Sequence, residues 1–411
     1  MNAPTYSPLQ QRAIQAIVDW YEKANKTATV THTFGEVYNE FARAYVPAEI
    51  RLPVFDTSRF TQEFYIAGYA GTGKSTIVQE AIRRLQEKFN IQSVAMGAYT
   101  GKAAYVLRKK GNAGAQTIHS MIYTCLEDPE TGELTFSRNP IGSAATADLI
   151  VLDECSMIDN AMAADLRSFG KPILVMGDPG QLPPINGEGS FTNRQPDFFL
   201  EEIHRQAADS PIIELATMAR QGIMIPTGYK KGDVQVLRLT NSSADDFLHN
   251  PDTQVLCGLN RIRWAVTQIM RRQLGFGGCM PLPGERILCC KNNKEKGLFN
   301  GGAGILRKLE VMESGGWKIT GDIEGRFQKD LLTDPFLFQQ HFTEGTTQRD
   351  IKKKRPNEFD WGYIWSVHKA QGSGWPHVTL IDNSPSFREN RWKHLYTGLT
   401  RAETGLTVLV P

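Results

Sequence analysis

Eight consecutive residues, Gly68-Tyr69-Ala70-Gly71-Thr72-Gly73-Lys74-Ser75, have the spacing GxxxxGKS. Glycines at these places let successive backbone N–H groups turn toward phosphate oxygens, and a helix starting there adds the positive end of its dipole. Lys74 would reach the terminal phosphates of a nucleoside triphosphate, and Ser75 would ligate Mg²⁺ through its hydroxyl. Thr72 and Thr76 complete the cradle. About eighty residues on, the apolar run Leu149-Ile150-Val151-Leu152 ends in Asp153-Glu154. Two carboxylates at a strand end suit such a cradle, with Asp153 holding Mg²⁺ and Glu154 polarising the attacking water as general base. A third segment, 177–184, carries Gln181 on a turn, where its amide can read the γ-phosphate or the water. Alone, the second and third segments are a charged loop and an ordinary turn. Behind a phosphate cradle, they point to nucleoside-triphosphate hydrolysis.

These residues need a scaffold. Phe64-Tyr65-Ile66-Ala67 reads as a strand leading into the cradle, and 93–98, 148–152 and 172–176 read as strands separated by helical stretches. That alternation predicts βαβ units on a parallel sheet. A second α/β unit is predicted from a strand at 254–257, a helix at 261–274, a strand at 286–290 and a closing strand-helix-strand over 378–410. Residues 301–360, rich in glycine, charge and short strand candidates, read as a small β insertion. Before the cradle, Leu9, Ile14, Ile17 and Tyr21 predict an amphipathic helix after Ser7-Pro8, and Phe34, Val37, Tyr38, Phe41 and Tyr45 suggest another. The turn signal from Asp128 to Glu133 predicts a β-hairpin over 125–138.

Composition sets outer bounds. A chain of 411 residues exceeds one ordinary core and is expected to form two or three compact units. Its formal net charge of +2 leaves the partner open, because nucleic-acid affinity follows clustered positive charge rather than totals. No apolar run approaches the roughly 18 residues that span a bilayer. Residues 1–11 lack the segments of an export signal, so a cytoplasmic location is expected. The six cysteines show no CxxC pair or zinc spacing and read as buried reduced thiols.

Taken together, the motifs resemble the superfamily 1 DNA helicases of the RecD and Dda branch, over most of the chain. Ala98-Tyr99-Thr100-Gly101-Lys102-Ala103-Ala104 and Thr117-Ile118-His119-Ser120 look like that family's motifs Ia and Ib. Trp365-Ser366-Val367-His368-Lys369-Ala370-Gln371-Gly372-Ser373 looks like motif V, and Leu395-Tyr396-Thr397-Gly398-Leu399-Thr400-Arg401-Ala402 like motif VI. Gly284-Glu285-Arg286, with Asn300-Gly301, also matches a RecD-like pattern.

The resemblance implies an α/β fold of two RecA-like P-loop domains with ATP and Mg²⁺ between them. The first would span 1–195, with a hairpin insertion at about 121–146 and an unusual insertion at about 23–62. The second would span 196–411, with an SH3-like β insertion at about 301–360. Arg401 and Arg205 would stabilise charge on the transferring phosphoryl group, and Gln10 would recognise adenine. The DNA contacts carried over are Thr100, Lys102, His119, His368, Lys369 and Gln371, which offer donors to phosphates without reading sequence. Phe136 or Leu134 of the hairpin would be the wedge that splits duplex. Tyr99, Trp361, Tyr363 and Trp365 are candidates for stacking on bases, Tyr99 standing where relatives have proline.

The implied activity is ATP-dependent translocation on single-stranded DNA with duplex unwinding, 5′ to 3′ by analogy with the branch. A monomer acting on single-stranded and tailed duplex DNA is expected, with replication or single-strand-binding proteins as partners. The short chain suggests a minimal, phage-encoded enzyme. Two alternatives stand beside it: a translocase that displaces bound proteins without separating strands, and a P-loop switch protein, against which motifs V and VI argue.

Overall fold

The computed structural model describes residues 6–24, 28–39, 44–54, 62–127, 134–184, 189–201, 209–240, 253–293, 295–334, 336 and 357–411, with backbone alone at 28–39, 44–54, 125–127 and 134. Helix α1 (Pro8–Ala24) precedes a hairpin of β1 (Ala28–Asn39) and β2 (Ala44–Val54). Then come β3 (Glu63–Gly68), α2 (Lys74–Phe89), β4 (Val94–Ala98), α3 (Gly101–Lys109), β5 (Gln116–Thr117) and α4 (Ile118–Ile122). A hairpin of β6 (Tyr123–Glu127) and β7 (Leu134–Arg138) leads through α5 (Ser143–Thr146) to β8 (Leu149–Asp153), α6 (Asn160–Arg167), β9 (Ile173–Gly177) and β10 (Phe198–Leu200).

Six of these strands form one sheet in the order β10-β3-β9-β8-β4-β5, parallel at every pairing. Parallel strands are covered on both faces and so read as unbroken apolar runs, and Leu149 to Leu152 are fully buried accordingly. Alternation within β3 sends Phe64 and Ile66 to the core under α1 and α2, and Tyr65 and Ala67 to the core under α4 and α6. The carboxyl ends of β3, β8 and β9 therefore deliver the cradle, Asp153-Glu154 and the Gln181 turn to one edge.

The rest of the chain runs α7 (Pro211–Arg220), β11 (Lys230–Lys231), β12 (Val234–Arg238), β13 (Thr253–Cys257), α8 (Asn260–Gln273), β14 (Arg286–Cys289) and β15 (Ala303–Val311). It continues with β16 (Trp317–Ile323), β17 (Arg326–Thr333), β18 (Phe359–Trp361), β19 (Ile364–Ser366), β20 (Trp375–Ile381), α9 (Arg391–Leu399) and β21 (Ala402–Val410). A second sheet has the order β11-β12-β21-β20-β13-β19, parallel except for β11 against β12. A five-stranded antiparallel sheet, β17-β16-β15-β14-β18, stands beside it.

Three expectations change. The helix anticipated from Phe34 to Tyr45 is instead the β1–β2 hairpin, with Val37 opposite Val46 and Tyr38 opposite Tyr45, while Phe41 lies outside the described residues. Threonine, valine and tyrosine favour extended backbone, and that preference outweighs a chance helical spacing. The first sheet also passes the expected boundary at 195, because β10 pairs with β3 through Leu200. The strand beginning at Arg286 belongs to the antiparallel sheet rather than the second parallel one, so the β insertion begins there and not at 301.

That antiparallel sheet is pinned by a buried ion pair. Arg271 Nε donates to Glu285 Oε1 at 2.7 Å, and the guanidinium also donates to the carbonyls of Gly278 and Met280. Tyr363 donates to the same carboxylate at 3.1 Å, and the guanidinium lies 4.0 Å from the Trp361 ring centroid. A buried pair with its hydrogen-bonding capacity filled fixes one arrangement of α8 on the sheet. The Gly284-Glu285-Arg286 string is structural in this sense. Among the described residues no helix is long and apolar enough to cross a membrane. Cys155, Cys257 and Cys289 are buried, but Cys279 is exposed, contrary to the expectation for all six; the Cys125 side chain lies outside the described residues.

Candidate nucleotide cleft and nucleic-acid interface

Gly71 and Gly73 have φ of 81° and 80°, left-handed values that side-chain-bearing residues avoid, and they turn the loop into the first turn of α2. The loop faces a cleft of about 530 Å³. Its first wall is Ala70 to Thr76 with Asp153, Glu154, Asp178 and Gln181; its second is Gly372 to Gly374 with Thr400, Arg401 and Glu403 from the second parallel unit. Of the residues expected at a nucleotide, Gly71, Thr72, Gly73, Lys74, Ser75, Thr76, Asp153, Glu154, Gln181 and Arg401 thus meet in one place. Gly68 stands behind them, its carbonyl accepting from Lys74 Nζ at 2.6 Å while the Tyr69 carbonyl accepts at 3.0 Å.

Burial, followed by repulsion from Glu154, pushes the Asp153 carboxyl up to about 6. Glu154 holds a φ of 52° and donates its backbone N–H to Asp153 Oδ1 at 2.8 Å. A left-handed glutamate is backbone strain retained by its surroundings, as at functional sites. Asp153 and the Ser75 hydroxyl are hard oxygen donors, and a crowded buried carboxylate is what a cation relieves. Among the described residues no group of three or more His, Cys, Asp or Glu could hold a metal. Mg²⁺ suits such a site because it takes one or two protein oxygens and completes its shell from phosphates and water. The Gln181 side chain is buried, and its Oε1 has no hydrogen-bond partner, an orphan that a phosphate-bound water would satisfy. Arg401 is held at the end of α9, donating to the carbonyls of Thr397 and Ser373, each at 3.1 Å, and to Thr400 Oγ1 at 3.3 Å.

One nucleotide assignment does not meet here. Gln10 caps α1: its Oε1 accepts the Ser7 N–H at 3.0 Å and its own N–H donates to Ser7 Oγ at 3.3 Å. This reciprocal capping box was legible in Ser7-Pro8-Leu9-Gln10 itself. Arg205 lies outside the described residues.

A second cleft, about 580 Å³, is lined by Tyr99, Thr100, Lys102, Thr117, His119 and Phe136 on one side and by Asn292, Asn300, Gly301, Ser366, His368 and Lys369 on the other. Six of the seven residues assigned to DNA are here. Thr100 Oγ1 also caps α3 by accepting the Ala103 N–H at 3.1 Å. Lys102 Nζ pairs with Glu324 at 2.5 Å, so the antiparallel sheet reaches across to the first unit. Lys369 Nζ lies 3.2 Å from Cys290 Sγ. Burial lowers the pKa of both His119 and His368, which makes them neutral hydrogen-bonding groups rather than cations at neutral pH. Phe136 is 60% exposed, third of the five residues of β7 and opposite Cys125, so it flanks the cleft rather than ending the hairpin. The Leu134 side chain and the turn at 128–133 lie outside the described residues.

Gln371 is elsewhere. It is 1% exposed and its Nε2 donates to the Leu182 carbonyl at 3.1 Å, tying the second unit to the Gln181 turn. Trp361, Tyr363 and Trp365 are buried in the cores and cannot stack on a base, which leaves Tyr99 of the four candidates at the cleft. Sequence reasoning passed over Met157 and Asn292 in this cleft, and Asp178 and Tyr396 at the other. The last two sat unassigned inside motifs already recognised.

The fold and the cleft are those of a P-loop protein with two RecA-like units, the phosphate-loop motif facing a cleft lined by both. A family model for an AAA domain matches 59–232, and one for a UvrD-like helicase C-terminal domain matches 362–409. The chain is 27% identical to the ATP-dependent RecD2 DNA helicase of Deinococcus radiodurans, over 82% of this chain and 45% of that protein. It is 22% identical to the ATP-dependent DNA helicase Pif1 of Campylobacter jejuni, over 84% of this chain and 88% of that one. The Pif1 helicase structure from Candida albicans superposes with a TM-score of 0.50 at 19% identity, covering 99% of this chain and 94% of that one. A structure describing DNA unwinding at forked duplex by two coordinating Pif1 helicases gives a TM-score of 0.54 at 18% identity, covering 99% and 92%. These structural likenesses carry the fold. In these matches the chain is similar to the RecD/Pif1-like members of superfamily 1, and it spans less than half the length of the RecD2 protein. The relatives leave a phage origin unsupported.

Proposed function

We propose that this chain is an ATP-dependent DNA helicase that uses ATP and Mg²⁺ to translocate 5′ to 3′ on single-stranded DNA and separate strands. One observation carries the reading: the same two segments serve both clefts. At the start of α3, Thr100 and Lys102 line the second cleft while Ala103 lines the nucleotide cleft; after β19, His368 and Lys369 line the second while Gly372 and Ser373 line the first. A change in separation of the two units at the phosphates must therefore shift the loops along any strand held between them. Lys74 and the loop amides hold the phosphates, Glu154 takes a proton from the attacking water, and Arg401 meets charge on the transferring group. Bound Mg²⁺, held by Ser75 and Asp153, would supply charge neutralisation there. Polarity follows the RecD and Dda branch, and the similar RecD2 and Pif1 proteins are ATP-dependent DNA helicases, in agreement with helicase action.

The testing experiment is a tailed-duplex assay with parallel measurement of hydrolysis. ATP hydrolysis rises on adding single-stranded DNA and declines with salt, and a fork with a 5′ tail is opened while one with a 3′ tail is not. The opposite preference overturns the polarity. Stimulated hydrolysis without opening of either fork identifies a translocase, and unstimulated hydrolysis identifies a switch protein.

Phe136 is the proposed pin. Its ring lies edge-on to Tyr123, 6.5 Å between centroids, with the outer face free to meet a base. Stacking on an aromatic contributes about 1–3 kcal/mol per base, so Phe136→Ala is expected to slow unwinding about tenfold while single-strand-stimulated hydrolysis stays within about twofold. Full unwinding by the variant would make the hairpin decoration.

A further inference from the structure

Tyr396, on α9 of the second unit, bonds to two separate segments of the cleft's first wall. Its hydroxyl accepts the backbone N–H of Ala70 in the phosphate loop at 3.0 Å and donates to Asp178 Oδ2 at 2.6 Å. Burial raises the tyrosine pKa and keeps the hydroxyl protonated, which fixes the direction of the second bond. The ring lies against Gly180, where an added Cβ would sit 2.9 Å from a ring carbon. Asp178 also accepts the Gly180 N–H at 2.9 Å, so the carboxylate organises the turn that bears Gln181. The neighbouring Thr397 accepts the Leu182 N–H on its hydroxyl at 3.0 Å, and its carbonyl accepts from Arg401 Nε. One stretch of α9 thus holds the phosphate loop, the glutamine turn and the arginine.

We propose that Tyr396 is a positioning residue of the phosphate site, whose hydroxyl occupies the Ala70 N–H as a nucleotide oxygen would and must be displaced by the terminal phosphate of ATP. Displacement frees α9 from the loop and moves Arg401 with it, while the bond to Asp178 keeps the Gln181 turn in step. The proposal rests on the ATP-binding reading of the cleft.

Lys74 gives independent support. Its ammonium is turned back onto the Gly68 and Tyr69 carbonyls, so the cation and the amide that a triphosphate would recruit are both satisfied within the protein. Tyr396 also comes from α9, whose C-terminal end leads directly to Arg401, so it approaches the phosphate loop from the side that would meet the terminal end of the phosphate chain. One N–H cannot serve a phenol oxygen and a phosphate oxygen at full strength. Removing the hydroxyl abolishes that competition but cuts one of the two ties between the glutamine turn and α9, leaving only the Thr397 bond to Leu182. Affinity and turnover then move in opposite directions, a split that lost packing would not produce.

The experiment compares the full chain with Tyr396→Phe, which keeps the ring. Binding of fluorescent ATP and ADP analogues is measured with Mg²⁺ and no DNA, and kcat at saturating ATP with single-stranded DNA. The variant is expected to bind the ATP analogue about threefold to tenfold tighter, the range of one hydrogen bond, with a smaller change for ADP. Its kcat is expected to decrease about tenfold through misplacement of groups on the terminal phosphate. Unchanged or weaker ATP binding overturns the proposal, as does tighter binding with unaltered kcat. Should Tyr396→Phe fail to fold because Asp178 is left buried without its donor, Tyr396→Phe with Asp178→Asn removes that charge and its affinity is read in the same way. If the wild-type chain binds neither analogue, the ATP reading itself is lost; if it binds them and the variant matches it, only the role of Tyr396 is lost.

Discussion

Arg401→Ala is expected to lower single-strand-stimulated kcat by about 10³-fold or more, the range seen when an arginine that meets phosphoryl charge is removed. Affinity for ATP should change far less. The guanidinium lies over three hundred residues from the phosphate loop in sequence, yet shares its cleft. Under the proposed reading it would reach the phosphates across the seam between the two units, so its contribution would belong to a closed arrangement in which hydrolysis occurs. An interaction made chiefly in the transition state appears in kcat rather than in ground-state binding. Arg401 also donates three hydrogen bonds around the end of α9, and the alanine variant must therefore be checked by thermal unfolding. Arg401→Lys keeps the charge but loses the fork, and it should remain strongly impaired if geometry matters as well as charge. A folded alanine variant with kcat within about tenfold of wild type would remove Arg401 from the chemistry.

The features legible in sequence were those fixed by local spacing. Gly71 and Gly73 are needed because the backbone there is left-handed, Lys74 and Ser75 follow from the helix start, and Asp153-Glu154 follow from the end of a strand buried on both faces. Features fixed by tertiary pairing were not. Gln371 stood in a motif expected at DNA, but it is buried and its amide nitrogen donates to a carbonyl nearly two hundred residues away. Trp361, Tyr363 and Trp365 looked available for stacking because nothing local announces that the first two will be enclosed beside a buried Arg271–Glu285 pair and the third in the core of the second parallel unit beside Trp375. The strand at Arg286 is a short apolar run of the sort that either a parallel or an antiparallel sheet accepts, and only its partners decide. Gln10 differs, since its capping box was local and was outweighed by the family pattern. Lys102 lies between these cases: its place at the cleft followed from the motif, but its pairing with Glu324 is set by the tip of the β16–β17 hairpin.

Glu154→Gln should separate binding from chemistry most cleanly. The two side chains have the same shape, so the loop and its left-handed backbone are retained, while the amide cannot take a proton from water. Loss of a general base costs about 10² to 10⁴ in rate, and hydrolysis should fall within that range with ATP and single-stranded DNA still bound. Asp153 makes the outcome informative about the metal as well. Its carboxyl is pushed up to about 6 by burial first and by Glu154 second. A raised acid gains its proton as pH falls through that value, so Mg²⁺, which needs the carboxylate, should bind less tightly below about pH 6. Removing the neighbouring charge relieves the second cause, and the pH at which Mg²⁺ affinity weakens should move downward in Glu154→Gln. Metal titrations across pH, together with single-turnover hydrolysis, check both halves. If turnover survived within about tenfold, the base would have to be another group; if the pH at which affinity weakens stayed in place, Asp153 and Glu154 would not share the field that their common burial implies.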